Sequence, residues 1–189
     1  MRVIAGRARG RRLRVPDQSG VRPTTDRARE TLFSVLLPFL RDARVLDLFA
    51  GSGALGLEAV SRGARGATFV ECHRKVATVL RANIAACDLE SECEVVLSDY
   101  RAAVRRLSTT HPPFDLVFVD PPYGSGQGIE CLAQLSAGQL VAEGGRVILE
   151  QGRHESAELP AQWELLRTLR IGKTVFLICS RVEPGPAAC

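Results

Sequence analysis

The chain has 189 residues, 46% of them hydrophobic and 24% charged, a composition typical of one globular domain rather than a disordered or repetitive chain. Its net charge of +4 is unevenly distributed, because residues 1–44 contain 11 Arg and four acids, whereas residues 45–189 contain 14 basic and 17 acidic residues. The sequence argues against a membrane-spanning protein, since no apolar stretch nears roughly 18 residues. It argues against an exported protein, since Arg residues occur near the N-terminus where a signal peptide would have its apolar stretch. It also argues against a structural zinc site, since no CxxC pair occurs.

The N-terminal extension, residues 1–43, combines a basic segment with a helix. Two short alternating segments around a Gly-rich turn predict a β-hairpin, and a loop over 16–23 leads to a helix capped by Thr24 or Thr25. Six of the first 14 residues are Arg and none is acidic, which favours contact with phosphates over an ordinary solvated face. The candidate RNA contacts are Arg7, Arg9, Arg11, Arg12, Arg22 and Arg27.

From residue 44 onward, short apolar runs alternate with helix-length segments. The apolar runs are 45–49, 68–71, 94–97, 116–120 and 146–150, and the helical segments lie near 54–62, 73–86, 100–108 and 128–138. Such alternation predicts a doubly wound, mostly parallel sheet. Residues 163–170 and 174–181 are too close together for a crossover helix, so they predict a final antiparallel hairpin. The expected fold is a Rossmann-like α/β domain of seven strands over residues 44–182, followed by a flexible tail at 183–189.

The first apolar run leads into a glycine turn with the sequence VLDLFAGSGALG. Its three glycines have the GxGxxG spacing that suits a dinucleotide, but Asp47 at the end of the strand would oppose a pyrophosphate. The carboxylate favours instead a ligand with cationic groups, such as the ammonium and sulfonium of S-adenosylmethionine. The third interpretation is that the glycine turn binds no ligand and only allows the following helix to pack against the strand. The cofactor-binding candidates in this loop are Asp47, Phe49, Ala50, Gly51, Ser52 and Gly53.

Two further acids follow the next two apolar runs. Glu71 closes the second run and is placed to accept both ribose hydroxyls of a nucleoside cofactor. Asp99 follows the third run, where it would accept from an adenine amino group or cap the following helix. Open α/β sheets place ligands at the carboxyl ends of their strands, so both acids extend the predicted cofactor pocket.

The fourth apolar run leads directly into Asp120, Pro121, Pro122 and Tyr123, a DPPY turn. Two prolines make this turn rigid and hold the Asp120 carboxylate and the Pro121 carbonyl as acceptors. Two acceptors that grip an exocyclic amine draw its lone pair out of conjugation and towards an incoming methyl group. Tyr123 would stack on the base, which must first be splayed out of its helix. The plainer interpretation is an Asp-Pro turn without chemistry.

Together these motifs resemble class I S-adenosylmethionine-dependent methyltransferases that act on nucleobase amines. The segments RVIAG, RPTTDRARE and LDLFAGSGALG resemble one branch closely, the bacterial RsmD family, over residues 1 to about 182. This resemblance implies transfer of a methyl group to the exocyclic N2 amine of guanine 966 in 16S rRNA, with Asp120 to Tyr123 as the catalytic turn. It also implies S-adenosylhomocysteine as the product, no metal, and a monomeric cytoplasmic protein that acts on free rRNA, the 30S subunit or an assembly intermediate.

Three alternative functions remain open from the residues. The same chemistry on adenine N6 in DNA or RNA fits the DPPY turn, although 189 residues show no separate target-recognition domain. A nicotinamide-dependent oxidoreductase fits the glycine spacing but leaves Asp47 and DPPY without a role. A non-catalytic RNA-binding protein fits the basic extension but gives intact Asp120 to Tyr123 no purpose.

Overall fold

The computed structural model describes residues 1–16, 25–122, 124, 126–153, 155 and 158–182. Several predictions therefore fall outside the described residues: the loop over 16–23 apart from Pro16, the alternative cap Thr24, the RNA contact at Arg22, the stacking residue Tyr123, and the tail at 183–189.

Seven strands form one sheet, which confirms the predicted fold class. The strands are β1 Arg44–Asp47, β2 Gly66–Glu71, β3 Cys93–Leu97, β4 Phe114–Val119, β5 Val141–Gly152, β6 Trp163–Ile171 and β7 Thr174–Arg181. Their order is β3-β2-β1-β4-β5-β7-β6. Strands β1 to β5 are mutually parallel, and the final hairpin inserts β7 antiparallel between β5 and β6.

Within the described residues, five α-helices cover the two faces of the sheet: α1 Asp26–Leu36, α2 Ala54–Ser61, α3 Arg74–Ala86, α4 Tyr100–Thr110 and α5 Gln127–Ala137. The first begins where predicted, because the Thr25 hydroxyl accepts a hydrogen bond from the Ala28 amide at 3.2 Å. One apolar core joins residues 1–13 and α1 to α3 on one face, around Phe33, Phe69 and Phe118. A second core joins α4 and α5 to the other face. No helix in the described part of the chain is both long and apolar enough to span a bilayer.

The N-terminal segment turns back on itself, as the sequence predicts, but its two arms do not form a regular two-stranded ladder. A single antiparallel bridge joins Arg2 to Arg12, and Gly6 and Gly10 supply the positive φ angles of the turn, 81° and 85°. The segment is also held by hydrogen bonds from its backbone amides to side chains of α2 and α3, such as Ala8 to the Ser61 hydroxyl at 3.0 Å and Arg14 to the Asn83 Oδ1 at 2.8 Å. A Cβ on Gly6 would lie 1.8 Å from the Ser61 carbonyl oxygen, so only glycine permits this close approach.

Candidate functional site

The glycine loop between β1 and α2 lies at the carboxyl edge of the sheet. It is closed by a 2.7 Å hydrogen bond from the Gly53 amide to the Ala50 carbonyl, and the Ala50 amide donates to Val70 of β2 at 3.0 Å. Gly53 has a φ of 80°, and a Cβ there would meet Leu80 of α3 at 2.4 Å. This loop over residues 48–53, the cradle, therefore requires glycine for both its conformation and its packing, and it leads directly into α2.

Asp47 is a buried carboxylate at the base of this cradle. It is 2% exposed and accepts a hydrogen bond from the Gly56 amide at 3.2 Å. Burial raises its pKa to about 7 from an ordinary 3.8, and the nearby charge of Glu71 adds to the effect. A cationic ligand would offset this burial, since an opposite charge stabilises the ionised form. The predicted preference for a cationic cofactor therefore fits the observed environment.

Glu71 lies against the same loop. Its carboxylate accepts hydrogen bonds from the Gly51 amide at 3.2 Å and from the His73 amide at 2.8 Å. These two contacts hold the side chain at the edge of the cradle, where a ribose contact is predicted. Asp99, in contrast, is the N-cap of α4 and accepts from the Arg101 amide at 2.9 Å. The capping role that the sequence left open is thus present, and an adenine contact stays a prediction.

The other predicted loop residues follow the same edge. Phe49 packs against Tyr100 of α4, with ring centroids 5.1 Å apart, so this aromatic contact joins the loop after β1 to α4. The Ser52 carbonyl accepts from the Asn83 side chain of α3 at 2.8 Å, which anchors the tip of the loop. Sequence reasoning gave Asn83 no role, because an Asn within a helix carries no motif.

Asp120 follows β4 directly, at the same edge as Asp47. Burial raises its pKa well above the ordinary value, and the negative charges of Glu150 and Asp47 raise it further. Pro121 is buried and Pro122 is exposed, so the first proline ring packs into the protein and the second faces solvent. The catalytic turn and the cofactor cradle that the sequence predicted are therefore adjacent in the structure, apart from Tyr123, which the structure does not describe.

The strand register places four acids on one face of the sheet. Asp47 lies opposite Phe69 of β2 and Phe118 of β4, so Glu71 and Asp120, each two residues further on, share its face. Phe118 in turn lies opposite Ile148 of β5, and the same step of two residues reaches Glu150. Glu150 is a residue that the sequence reasoning missed, although it ends an apolar run just as Glu71 and Asp120 do.

The N-terminal segment is anchored beside this site by the buried carboxylate of Glu58. That carboxylate accepts from the Ile4 amide at 2.7 Å, from the Ala5 amide at 3.0 Å and from the Arg62 Nε at 2.7 Å. The fully buried guanidinium of Arg29 lies 3.8 Å away and donates to the Arg2 carbonyl at 2.7 Å. Arg29 is thus part of the fold rather than of an RNA-contacting surface.

The predicted RNA-contacting arginines divide into two groups. Arg7 and Arg11 form ion pairs with Glu92 and Asp88, at 2.7 Å and 2.5 Å. Arg9, Arg12 and Arg27 are exposed, and within the described residues none of them forms an ion pair. The second group presents its positive charge to solvent without a competing carboxylate.

Glu71, Cys72 and His73 form the one group in the described residues whose donor atoms could together hold a metal ion, all within 4.8 Å. Burial and the charge of Glu71 raise the pKa of the Cys72 thiol, which disfavours the thiolate that metals bind. Glu71 is also engaged by the glycine loop, so this arrangement fits a cofactor pocket better than a metal centre.

Comparisons with known proteins address the family and the fold of the chain. The family described as Conserved hypothetical protein 95 matches residues 1–180. Ribosomal RNA small subunit methyltransferase D of Escherichia coli (strain K12) is 40% identical over 186 residues, covering 98% of this chain and 92% of the relative. The solved structure of yhhF from Escherichia coli has a TM-score of 0.83 at 40% identity, covering 96% of this chain and 97% of that chain. SMU.776, solved in complex with SAH, shares the fold with a TM-score of 0.67 at 16% identity, covering 80% of this chain and 49% of its own.

The family match and the match to the Escherichia coli methyltransferase D extend over nearly the whole chain, including the N-terminal segment as well as the glycine loop and the Asp120 turn. The resemblance inferred from the motifs is therefore confirmed, and the chain belongs to the conserved hypothetical protein 95 family, the RsmD family, together with the ribosomal RNA small subunit methyltransferase D proteins.

Proposed function

We propose that this protein transfers a methyl group from S-adenosylmethionine to the exocyclic N2 amine of a guanine in 16S rRNA, guanine 966 by family resemblance. The observation that carries the proposal is the position of Asp47 and Asp120 at one edge of the sheet, close enough for the charge of one to raise the pKa of the other. A cofactor held at Asp47 and an amine held at Asp120 would then be neighbours. Kinship with ribosomal RNA small subunit methyltransferase D supports rRNA as the substrate.

Each side chain has a defined task in this mechanism. S-adenosylmethionine supplies the electrophilic methyl group when bound. Asp47 and the glycine loop hold its amino-acid part, Glu71 its ribose and Asp99 its adenine. The Asp120 carboxylate and the Pro121 carbonyl accept the two amine hydrogens and aim the nitrogen lone pair at the methyl carbon. No strong base is required before attack, because the amine proton can leave afterwards.

The division of the chain follows the same proposal. Residues 1–43 contact RNA through the exposed arginines, and residues 44–182 carry the chemistry. The anchoring of the N-terminal segment to α2 and α3 supports this division, since α2 begins at the glycine loop. We expect a monomeric, metal-independent enzyme of the cytoplasm, where rRNA is modified.

A methylation assay tests the proposal. The protein is incubated with labelled S-adenosylmethionine and with either 30S subunits or naked 16S rRNA that lack the modification, and the labelled nucleoside is mapped. We expect label on guanine N2 and no label with Asp120→Ala, which should still bind the cofactor. Glu143→Gln, an exposed acid at the start of β5, is the matched control and should retain activity.

The outcomes separate the alternatives. Label on adenine would replace guanine with adenine as the substrate, and no transfer to either RNA would favour a binding protein. Loss of cofactor affinity in Asp120→Ala would mean that Asp120 belongs to the cofactor pocket rather than to the amine site.

A further inference from the structure

Glu150 ends the apolar part of β5, directly beside the catalytic turn. In the parallel β4–β5 pair, Val119 lies opposite Leu149, so Asp120 and Glu150 are the next residues on two strands about 4.8 Å apart. Both project to the face that carries Asp47. Glu150 is 2% exposed, so its carboxylate lies deeper in the protein than the half-buried Asp120.

Two adjacent carboxylates present a distinctive pattern to a nucleobase. An ionised carboxylate only accepts hydrogen bonds. The Watson–Crick edge of guanine offers two neighbouring donors, the N1–H and the N2 amine, whereas that of adenine offers a donor amine beside the N1 acceptor. Burial and the charge of Glu150 raise the pKa of Asp120 in the ligand-free protein, so the pair is ionised fully only when a base donates to both members. In that state the pair matches guanine, and its second member opposes the adenine N1. Each hydrogen bond from the base in turn favours the ionised form of its acceptor.

We propose that Glu150 is a specificity-determining residue that accepts the N1–H of the target guanine while Asp120 accepts its N2 amine. This inference rests on the proposed function, and it supplies what the DPPY turn alone lacks, a means to choose guanine N2 over adenine N6. The glycine loop and Asp120 serve both reactions; Glu150 distinguishes them.

An analogue of the base tests the contact directly. 2-Aminopurine retains the amine at position 2 but has an acceptor at N1 in place of the N1–H. We compare 30S subunits reconstituted from ligated 16S rRNA with guanine or 2-aminopurine at the mapped target. For the wild-type protein, kcat/KM should favour guanine by roughly 10- to 150-fold, the ratio expected for one hydrogen bond to a charged acceptor.

Glu150→Gln is the informative variant, because its amide has nearly the same shape and can donate to the N1 acceptor of 2-aminopurine. We expect the guanine to 2-aminopurine ratio to fall by about tenfold or more, with S-adenosylhomocysteine affinity and the folded state unchanged. Guanine and 2-aminopurine also differ at position 6, but this difference affects the wild type and Glu150→Gln alike. Its effect therefore cancels when the guanine to 2-aminopurine ratios of the two proteins are compared.

Two results would overturn the inference. An unchanged guanine to 2-aminopurine ratio, whether or not both rates fall, would show that Glu150 does not read position 1 of the base, and reduced cofactor affinity would assign Glu150 to the cofactor pocket. Glu143→Gln is the control and should leave both rates unchanged. Failure of the proposed function appears differently, as a wild-type protein that methylates no guanine at all.

Discussion

Asn83 of α3 and Arg14 of the N-terminal segment form a reciprocal pair of hydrogen bonds. The Asn83 Oδ1 accepts from the Arg14 amide at 2.8 Å, and its Nδ2 donates to the Arg14 carbonyl at 2.9 Å. The same Nδ2 donates to the Ser52 carbonyl at 2.8 Å, so one buried side chain joins the basic segment to the glycine loop. The segment that is proposed to hold RNA is thus fixed to the loop that is proposed to hold the cofactor.

Replacing Asn83 should therefore affect stability and binding together. Asn83→Ala leaves the Arg14 and Ser52 backbone groups unpaired, and we expect the free energy of unfolding in urea to fall by about 1–3 kcal/mol. S-adenosylhomocysteine affinity should fall as the loop loosens. Thr78→Ala, on an exposed position of the same helix, is the control. Equal effects of the two changes would show that the bridge contributes nothing.

The pKa of Asp47 makes a prediction about pH. With a pKa of about 7, Asp47 is mostly protonated below that pH in the ligand-free protein, so it offers little charge to a cation. Affinity for S-adenosylmethionine should rise between about pH 6 and 8 and then level off, with proton release on binding. Calorimetry in buffers of different ionisation enthalpy measures both quantities. Asp47→Asn should weaken binding and remove the slope, and a slope that persists in this variant would assign the titration to another group.

The same pKa predicts the opposite trend for stability. The folded protein binds the Asp47 proton more tightly than the unfolded chain does, since the pKa is about 7 in the fold against an ordinary 3.8. Its contribution to the free energy of unfolding therefore falls as pH rises from about 4 to 7. Asp47→Asn should be more stable than the wild type at pH 8 and show a smaller difference at pH 5. Reduced stability of the variant at pH 8 would contradict the burial argument.

The arginines permit a comparison at equal charge. Two double variants each remove two positive charges: one replaces Arg9 and Arg12 with Ala, the other replaces Arg7 and Arg11 with Ala. Among the described residues, only the arginines of the second variant form ion pairs, with Glu92 and Asp88. We expect the first double variant to reduce the slope of log K against log salt by about 1.5, the value for two lost phosphate contacts. The second should reduce it less, because those guanidiniums would have to leave their carboxylates. Filter binding with 16S rRNA fragments measures both slopes. Equal reductions of the slope in the two variants would mean that Arg7 and Arg11 leave their carboxylates and contact phosphates when RNA binds.

Glu58 makes a prediction about the fold itself. Glu58→Leu removes one of the two carboxylates that pair with the buried Arg29 guanidinium, the other being Asp26 at 2.7 Å, and it removes the acceptor of the Ile4 and Ala5 amides. We expect a loss of about 3–5 kcal/mol of stability. The N-terminal segment should then be cleaved by trypsin much faster than in the wild type. Glu58→Gln retains an acceptor oxygen and should lose less. An N-terminal segment that stays protected in Glu58→Leu would show that its apolar contacts alone hold it.

The sequence by itself determined the features that depend on neighbouring residues. The alternation of apolar runs and helices predicted the sheet, because strand and helix periodicity act over a few residues. The positions of the turn at Gly51 and Gly53 and of the acids Asp47, Glu71 and Asp120 at the carboxyl edge of the sheet could be predicted for the same reason, since each is defined by its distance from a strand end. The family resemblance rested on these local segments.

Only the tertiary structure decided which charges meet. Glu150 lies beside Asp120 because β5 pairs with β4, Arg7 and Arg11 reach Glu92 and Asp88 across more than 75 residues, and Asn83 reaches Arg14 across 69. Burial and partners also set whether a carboxylate such as Asp47 is charged at neutral pH. The division between a basic extension and a slightly acidic body was visible in the sequence. Which of its charges are neutralised, buried or exposed followed from long-range packing, because electrostatic environment depends on three-dimensional distance and desolvation rather than on order along the chain.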